Sequence, residues 1–152
     1  MKCREIMSRV LFCCTPSETA EKAAQLMRDQ DIGSIPVVND YTERKLVGIV
    51  TDRDICLKTA AAGMAANAVR ISEIMTRWPV TCSLEDPVEA CEEIMRQRQV
   101  RRVPIVDVRG VCLGIVSQAD IALHDSADHT YMTLAAVSRH AHPIQGNASV
   151  VH

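Results

Sequence analysis

Gly48 to Ile55 reads GIVTDRDI, and Gly114 to Ile121 reads GIVSQADI. Both phrases keep Gly-Ile-Val, a hydroxyl, an aspartate and an isoleucine. The echo extends outward from them. Glu5-Ile6-Met7 matches Glu73-Ile74-Met75, Met27-Arg28 matches Met95-Arg96, and Ile35-Pro36-Val37-Val38 matches Val103-Pro104-Ile105-Val106. Residues 5–38 and 73–106 are identical at 10 of 34 positions, so chance is a poor explanation. The offset falls from 68 to 66 after Val38, which puts the length difference in a loop, where it is tolerated. The chain is a tandem duplication.

Each copy has the same grammar. A short apolar stretch (Phe12-Cys13-Cys14 or Val80-Thr81-Cys82) precedes acidic and cap-type residues, Thr15-Pro16-Ser17-Glu18 or Ser83-Leu84-Glu85-Asp86. These mark a helix start. Ala20, Ala23, Ala24 and Met27, then Val88, Cys91 and Met95, recur at helical spacing and give each helix a buried face. Two β-branched runs follow; in the first copy they are Ile35 to Val38 and Leu46 to Val50, joined by a polar loop, a hairpin signature. Asp52 and Gln118 open a closing helix. The predicted unit is β-α-β-β-α. Neither copy is large enough to cover its own sheet, so the two sheets are expected to pack face to face about a pseudo-two-fold axis. The boundaries follow: repeat 1 at 1–60, an alanine-rich linker at 61–69, repeat 2 at 70–124, and a helical or flexible tail at 125–152.

Composition narrows the function. With 152 residues, 47% apolar and only four aromatics, the core must be aliphatic. A net charge of −2 and so few aromatic rings argue against nucleic acid. No apolar run is long enough for a membrane span and no leader is visible, which predicts a soluble cytoplasmic protein. Of seven cysteines, none forms a C-x-x-C pair. Cys14, Cys82 and Cys112 fall in strand-like runs and Cys91 on a helical face, where a thiol acts as a small hydrophobe. A redox or metal role remains open for Cys3, Cys13 or Cys56. No catalytic constellation, Walker loop or G-x-G-x-x-G is present, so no enzyme is expected.

The repeated phrase allows two readings. Thr51 or Ser117 ends a strand, and Asp54 or Asp120 lies in the first helical turn beyond it. Helix capping alone accounts for that spacing. Equally, a carboxylate at a strand end can accept ribose hydroxyls while the adjacent helix start favours phosphate. Duplication would create two such clefts. Arg101-Arg102 has a bland reading as well, a solvated charge run with Arg96 and Arg98.

The E-I-M-[ST] opening, the [IV]-P-[VI]-V strand and the G-I-V-[TS]-x-x-D-I phrase, each written twice, resemble a cystathionine-beta-synthase (CBS) domain pair over residues 1 to about 124. The resemblance implies an α/β (α+β) fold of two CBS repeats packed sheet to sheet. It implies clefts for an adenosyl nucleotide, namely AMP, ADP, ATP, NAD or S-adenosylmethionine. By that pattern Ser117 and Asp120 hold one ribose, Arg101 and Arg102 reach its phosphate, and Phe12, Ile32 and Gly33 frame its adenine. Strand alternation lets only one of the two arginines face a given cleft, and Arg102 is preferred. The other cleft uses Thr51 and Asp54 for ribose, with Val80 and Val100 around the base. There Gly33 and Ser34 stand in place of the arginine pair, so that cleft lacks its phosphate clamp unless Arg53 or Arg77 supplies one.

The expected function is a stand-alone regulator that binds nucleotide, forms a homodimer and signals to a protein partner. Two other readings stay open. One is a metal or redox sensor built on the cysteines and on the histidines of the final stretch, His124, His129, His140, His142 and His152. The other is a structural dimerisation module.

Overall fold

The computed structural model describes residues 1–9, 12–124 and 127–138. The elements run α1 (Cys3–Ile6), β1 (Ser8–Arg9), α2 (Ala20–Gln30), β2 (Ser34–Val38), β3 (Leu46–Thr51), α3 (Asp52–Lys58), α4 (Ile71–Ile74), β4 (Thr76–Arg77), β5 (Cys82–Ser83), α5 (Val88–Arg98), β6 (Arg102–Val106), β7 (Cys112–Ser117), α6 (Gln118–His124) and α7 (Ala127–Ser138). Two 3-10 turns, at Ala60–Ala62 and Ala66–Ala68, occupy the linker. None of the described helices is long and apolar enough to cross a membrane.

The β2–β3 and β6–β7 hairpins form where the paired apolar runs predict them. The helices start later than the sequence suggests. Glu18 accepts the Thr15 amide at 2.7 Å and Asp86 accepts the Ser83 amide at 2.7 Å, so these acidic residues close a turn ahead of the helix. α2 then begins behind Thr19, whose hydroxyl accepts from the Lys22 amide. Helices α2 and α5 both end on a left-handed residue, Asp31 and Gln99, each with φ 52°. The expected leading strand is the weakest element. In repeat 1 it shrinks to a bridge between Cys14 and Val37, and in repeat 2 to the two residues of β5, parallel to β6.

Sheet order exposes what the linear repeat conceals. One sheet runs β1-β7-β6-β5 and the other β2-β3-β4. β1, from the start of repeat 1, pairs with β7 of repeat 2, matching Arg9 to Gly114. β4, from the start of repeat 2, pairs with β3 of repeat 1, matching Arg77 to Gly48. Each E-I-M segment therefore completes the other copy. The symmetry is kept bond for bond: Cys3 N–H donates to Asp86 C=O and Ile71 N–H to Glu18 C=O, both at 2.9 Å. The two sheets are further tied where Lys45 bridges Val111.

Two aliphatic cores result. The first gathers Cys14, Ala23, Met27, Ile35, Val37, Val50 and Ile71, and the second Cys3, Cys82, Cys91, Met95, Val103, Ile105 and Val116. Helix α7 joins the second core through buried Val137. Its buried Thr133 donates to Glu92 and accepts from Arg96.

The glycine opening each repeated phrase is where the exchanged strand crosses. A Cβ on Gly114 would stand 2.5 Å from the Met7 sulfur and 3.0 Å from the Ser8 carbonyl; one on Gly48 would stand 2.7 Å from the Met75 sulfur and 2.9 Å from the Thr76 carbonyl. Gly114→Ala should accordingly destabilise by roughly 1–3 kcal/mol in urea unfolding. Adding Met7→Ala should return part of that loss, because the two changes relieve one contact. Strict additivity of the two losses would show that the contact is not the cause.

Candidate functional site

Both hydroxyl–aspartate pairs are capping boxes. Asp54 Oδ2 accepts from the Thr51 amide and the Thr51 hydroxyl, each at 3.0 Å, and the Asp54 amide donates back to the hydroxyl at 3.1 Å. Asp120 Oδ2 accepts from the Ser117 amide at 2.7 Å and hydroxyl at 2.6 Å, with the return bond at 3.2 Å. The bland reading of the phrase is thus realised. It consumes only one oxygen of each carboxylate. Asp120 Oδ1 accepts from the Ser8 hydroxyl at 3.3 Å, and Asp54 Oδ1 lies 4.0 Å from Lys58 Nζ. Each cap therefore holds a carboxylate in a fixed pose, with its second oxygen directed away from the helix start.

Beside each pair lies a cavity between the repeats. One, of 430 Å³, is lined by Phe12, Ile32, Gly33 and Ser34 of the first repeat and Arg102, Ser117 and Asp120 of the second, with Ser8 and Arg9 of the exchanged strand. The other, of 690 Å³, gathers Thr51 and Asp54 with Val80, Val100, Arg101 and Arg102.

The backbone explains this sharing. Asp52 N–H bonds Gly33 C=O, and Gln118 N–H bonds Arg101 C=O, both at 3.1 Å, so Gly33-Ser34 and Arg101-Arg102 hold equivalent places. Ser34 pairs with Thr51 and Arg102 with Ser117 across their hairpins.

Charge departs from the sequence-based expectation in two ways. Arg101 lines the Thr51–Asp54 cavity and not the Ser117–Asp120 one, while Arg102 lines both. The expected separation holds at the Ser117–Asp120 cavity, which Arg102 lines without Arg101, and not at the Thr51–Asp54 cavity, which both line; Arg101 precedes the first residue of β6, outside the strict alternation of the strand. Nor is the Thr51–Asp54 cavity poor in cations: Arg53, Arg98, Arg101 and Arg102 all line it. Three of these come from the opposite repeat, where a copy-against-copy comparison does not look. Arg77 turns elsewhere and donates to the Ser72 carbonyl. Ser34, assigned by sequence to the clamp-poor cleft, lines the Ser117–Asp120 cavity instead.

Sequence reasoning also passed over Trp78. The sole tryptophan is 72% exposed, has φ 47°, and lies along the larger cavity with Pro79. Its signal was its rarity beside the Val80 already singled out.

Among the tail histidines, His124 Nδ1 lies 2.8 Å from the Asp120 carbonyl. His140, His142 and His152 lie outside the described residues, as does the side chain of His129. Of the cysteines named for reactivity, Cys56 is exposed, Cys13 half-buried and Cys3 buried.

Two repeats that exchange opening strands and face each other over paired clefts define a class, and comparison names it. The CBS domain family matches residues 3–59 and again 71–126. The chain belongs to the CBS domain family. It is 36% identical over 121 residues to hypoxic response protein 1 of Mycobacterium tuberculosis, covering 80% of this chain and 82% of that protein. It is 33% identical over 127 residues to the CBS domain-containing protein YhcV of Bacillus subtilis, covering 84% and 87%. A crystal structure of hypoxic response protein I with two coordinated zinc ions superposes with TM-score 0.72 over 83% of this chain and all of that one, at 36% identity. The hexameric CBS-CP12 protein of bloom-forming cyanobacteria gives 0.74 at 30% identity, over 83% and 72%.

The caps carry a stability prediction separate from any ligand. Thr51→Ala and Ser117→Ala should each cost about 1 kcal/mol in urea unfolding. A cost near zero for both would mean that the boxes do not hold the helix starts.

Proposed function

We propose that this chain is a stand-alone regulatory module that binds an adenosyl nucleotide (AMP, ADP, ATP, NAD or S-adenosylmethionine) in the two clefts between its repeats and signals by a change of shape or partner. The observation that carries the reading is the paired geometry. Each cleft has a carboxylate pinned by its own cap through one oxygen, with the other held only by a long contact to Ser8 or Lys58, apolar surface from the opposite repeat, and at least one guanidinium. Those three features match the ribose, base and phosphate of a nucleotide. In the Ser117–Asp120 cleft, Asp120 takes the ribose, Phe12, Ile32 and Gly33 face the base, Ser34 lines the wall, and Arg102 takes the phosphate. In the Thr51–Asp54 cleft, Asp54 takes the ribose and Val80 and Val100 flank the base. Trp78 offers a stacking face there, and Arg101 and Arg102 reach the phosphate. A structure of the same fold, CBSX2, was solved in complex with AMP; at 22% identity it speaks for the fold alone. The CBS-CP12 relative assembles as a hexamer, which supports self-association here; in this reading the module is a homodimer in the cytoplasm with a regulated protein as its partner.

The test is calorimetric titration of reduced, metal-stripped protein with AMP, ATP, NAD and S-adenosylmethionine in turn, with Trp78 fluorescence followed in parallel. Two equivalents per chain are expected for the ligand that binds. Only the equivalent entering the Thr51–Asp54 cleft should alter Trp78 emission. Asp120→Ala should cost roughly 1.5–3 kcal/mol at one site and leave the fluorescent site intact. Arg102→Ala should weaken AMP far more than adenosine at both sites, and Arg101→Ala at the fluorescent site alone. Equal losses for AMP and adenosine would remove the phosphate role from the arginines. Silence from all four nucleotides would remove the sensor reading.

A further inference from the structure

One spot in the second core is filled unlike its twin in the first. Under the 68-residue repeat, Cys3, Cys82 and Cys91 take the places of Ile71, Cys14 and Ala23. Each trio is buried in its own core, and each brings together an exchanged α-helix, a leading strand position and a long helix. The first repeat therefore shows what packing alone asks for here: an isoleucine, an alanine and one cysteine. The second repeat has three thiols. Their Sγ atoms all lie within 4.8 Å of one another, with Cys3 and Cys91 at 3.3 Å. None is more than 3% exposed.

Thiols are weak donors and weak acceptors, so three of them facing one another gain little as a hydrogen-bonded network. They gain much more by sharing a soft cation. Metal–sulfur bonds of about 2.3 Å put the sulfurs of a planar three-coordinate centre about 4 Å apart, within the span already present. Thiolate sets select copper(I) or zinc(II) over harder ions. A disulfide would use two of the sulfurs and give the third no part. We propose that Cys3, Cys82 and Cys91 form a buried three-thiolate site for one soft, thiophilic metal ion of the copper(I)–zinc(II) class.

Binding replaces three S–H protons with one metal ion and releases up to three protons, so uptake weakens as pH falls. The metal would also act at a distance. Cys3 opens the exchanged segment, whose surface ties are ion pairs of Lys2 and Arg4 with Glu85. That segment ends in Ser8 and Arg9 on the wall of the Ser117–Asp120 cavity. Metal at the thiols would pin that wall to the second core.

The experiment is an anaerobic titration of the reduced, metal-free full chain with zinc(II), with copper(I), and with cadmium(II) as a spectroscopic probe, each against a competing chromophoric chelator. One equivalent per chain is expected, with a thiolate-to-cadmium charge-transfer band. Cys91→Ala and Cys3→Ile install the residues that the first repeat carries at these places, so the core stays filled. Each should lose more than the roughly 10–100-fold in affinity that removing a supporting hydrogen-bond partner of a ligand costs. The double variant Cys13→Ser/Cys56→Ser, which removes the two less buried thiols, should bind like the parent. Tight binding by zinc or by copper alone supports the site and names its metal. The proposal is overturned if none of the three ions binds, if Cys91→Ala and Cys3→Ile bind as the parent does, or if the Cys13/Cys56 double variant loses the metal. Should either substituted chain fail to fold, alkylation of the parent in partly unfolding urea, with and without metal, decides, because the native thiols are too buried to label in either state. Bound metal must protect Cys3, Cys82 and Cys91 from the reagent, and their unprotected labelling overturns the site.

Discussion

A methionine sulfur lying over a glycine, twice, is the contact on which this architecture turns. Met7 covers Gly114 and Met75 covers Gly48 at the points where each repeat hands its opening strand to the other. Any side chain at those glycines would hold the crossing strand away from its sheet. Because the strands cross, neither core closes without residues from the opposite copy: Cys3 and Ile6 complete the second, Ile71 and Ile74 the first. The crossing also builds the cleft walls. Ser8 and Arg9 arrive beside Asp120, and Thr76 and Trp78 beside Thr51. Fold and candidate site are therefore consequences of one exchange.

The aspartates show how a structural device can serve a second end. A capping carboxylate must stand at a helix start with one oxygen on backbone N–H groups. The same constraint leaves the second oxygen outside the box, where Asp120 Oδ1 meets the Ser8 hydroxyl and Asp54 Oδ1 lies 4.0 Å from Lys58 Nζ. No separate scaffold is needed to orient it. The two readings of the repeated phrase are in this sense one geometry seen from its two oxygens.

Much of this was legible in the residues. The duplication, the hairpins, helices α2 and α5 and the caps follow from periodicity and from cap chemistry, which act over a few residues. The strand exchange was not legible, because Glu5-Ile6-Met7 reads the same whether it packs on its own copy or on its twin. The cleft charges failed for a related reason. Placing Gly33-Ser34 against Arg101-Arg102 compares equivalent positions, whereas a cavity between repeats collects non-equivalent ones, and Arg98, Arg101 and Arg102 enter the Thr51–Asp54 cavity from across the interface. Cysteines were judged singly by their runs. Three that are far apart in sequence, Cys3, Cys82 and Cys91, meet only once the exchanged segment is in place.

Arg102 is common to the walls of both cavities. One guanidinium neutralises one phosphate at a time, so an anion that captures it on one side removes it from the other, leaving Arg9 in the Ser117–Asp120 cavity or Arg53, Arg98 and Arg101 in its neighbour. Linkage makes that penalty mutual. With nucleotides in both clefts as proposed, anionic guests would compete for this one side chain and neutral ones would not.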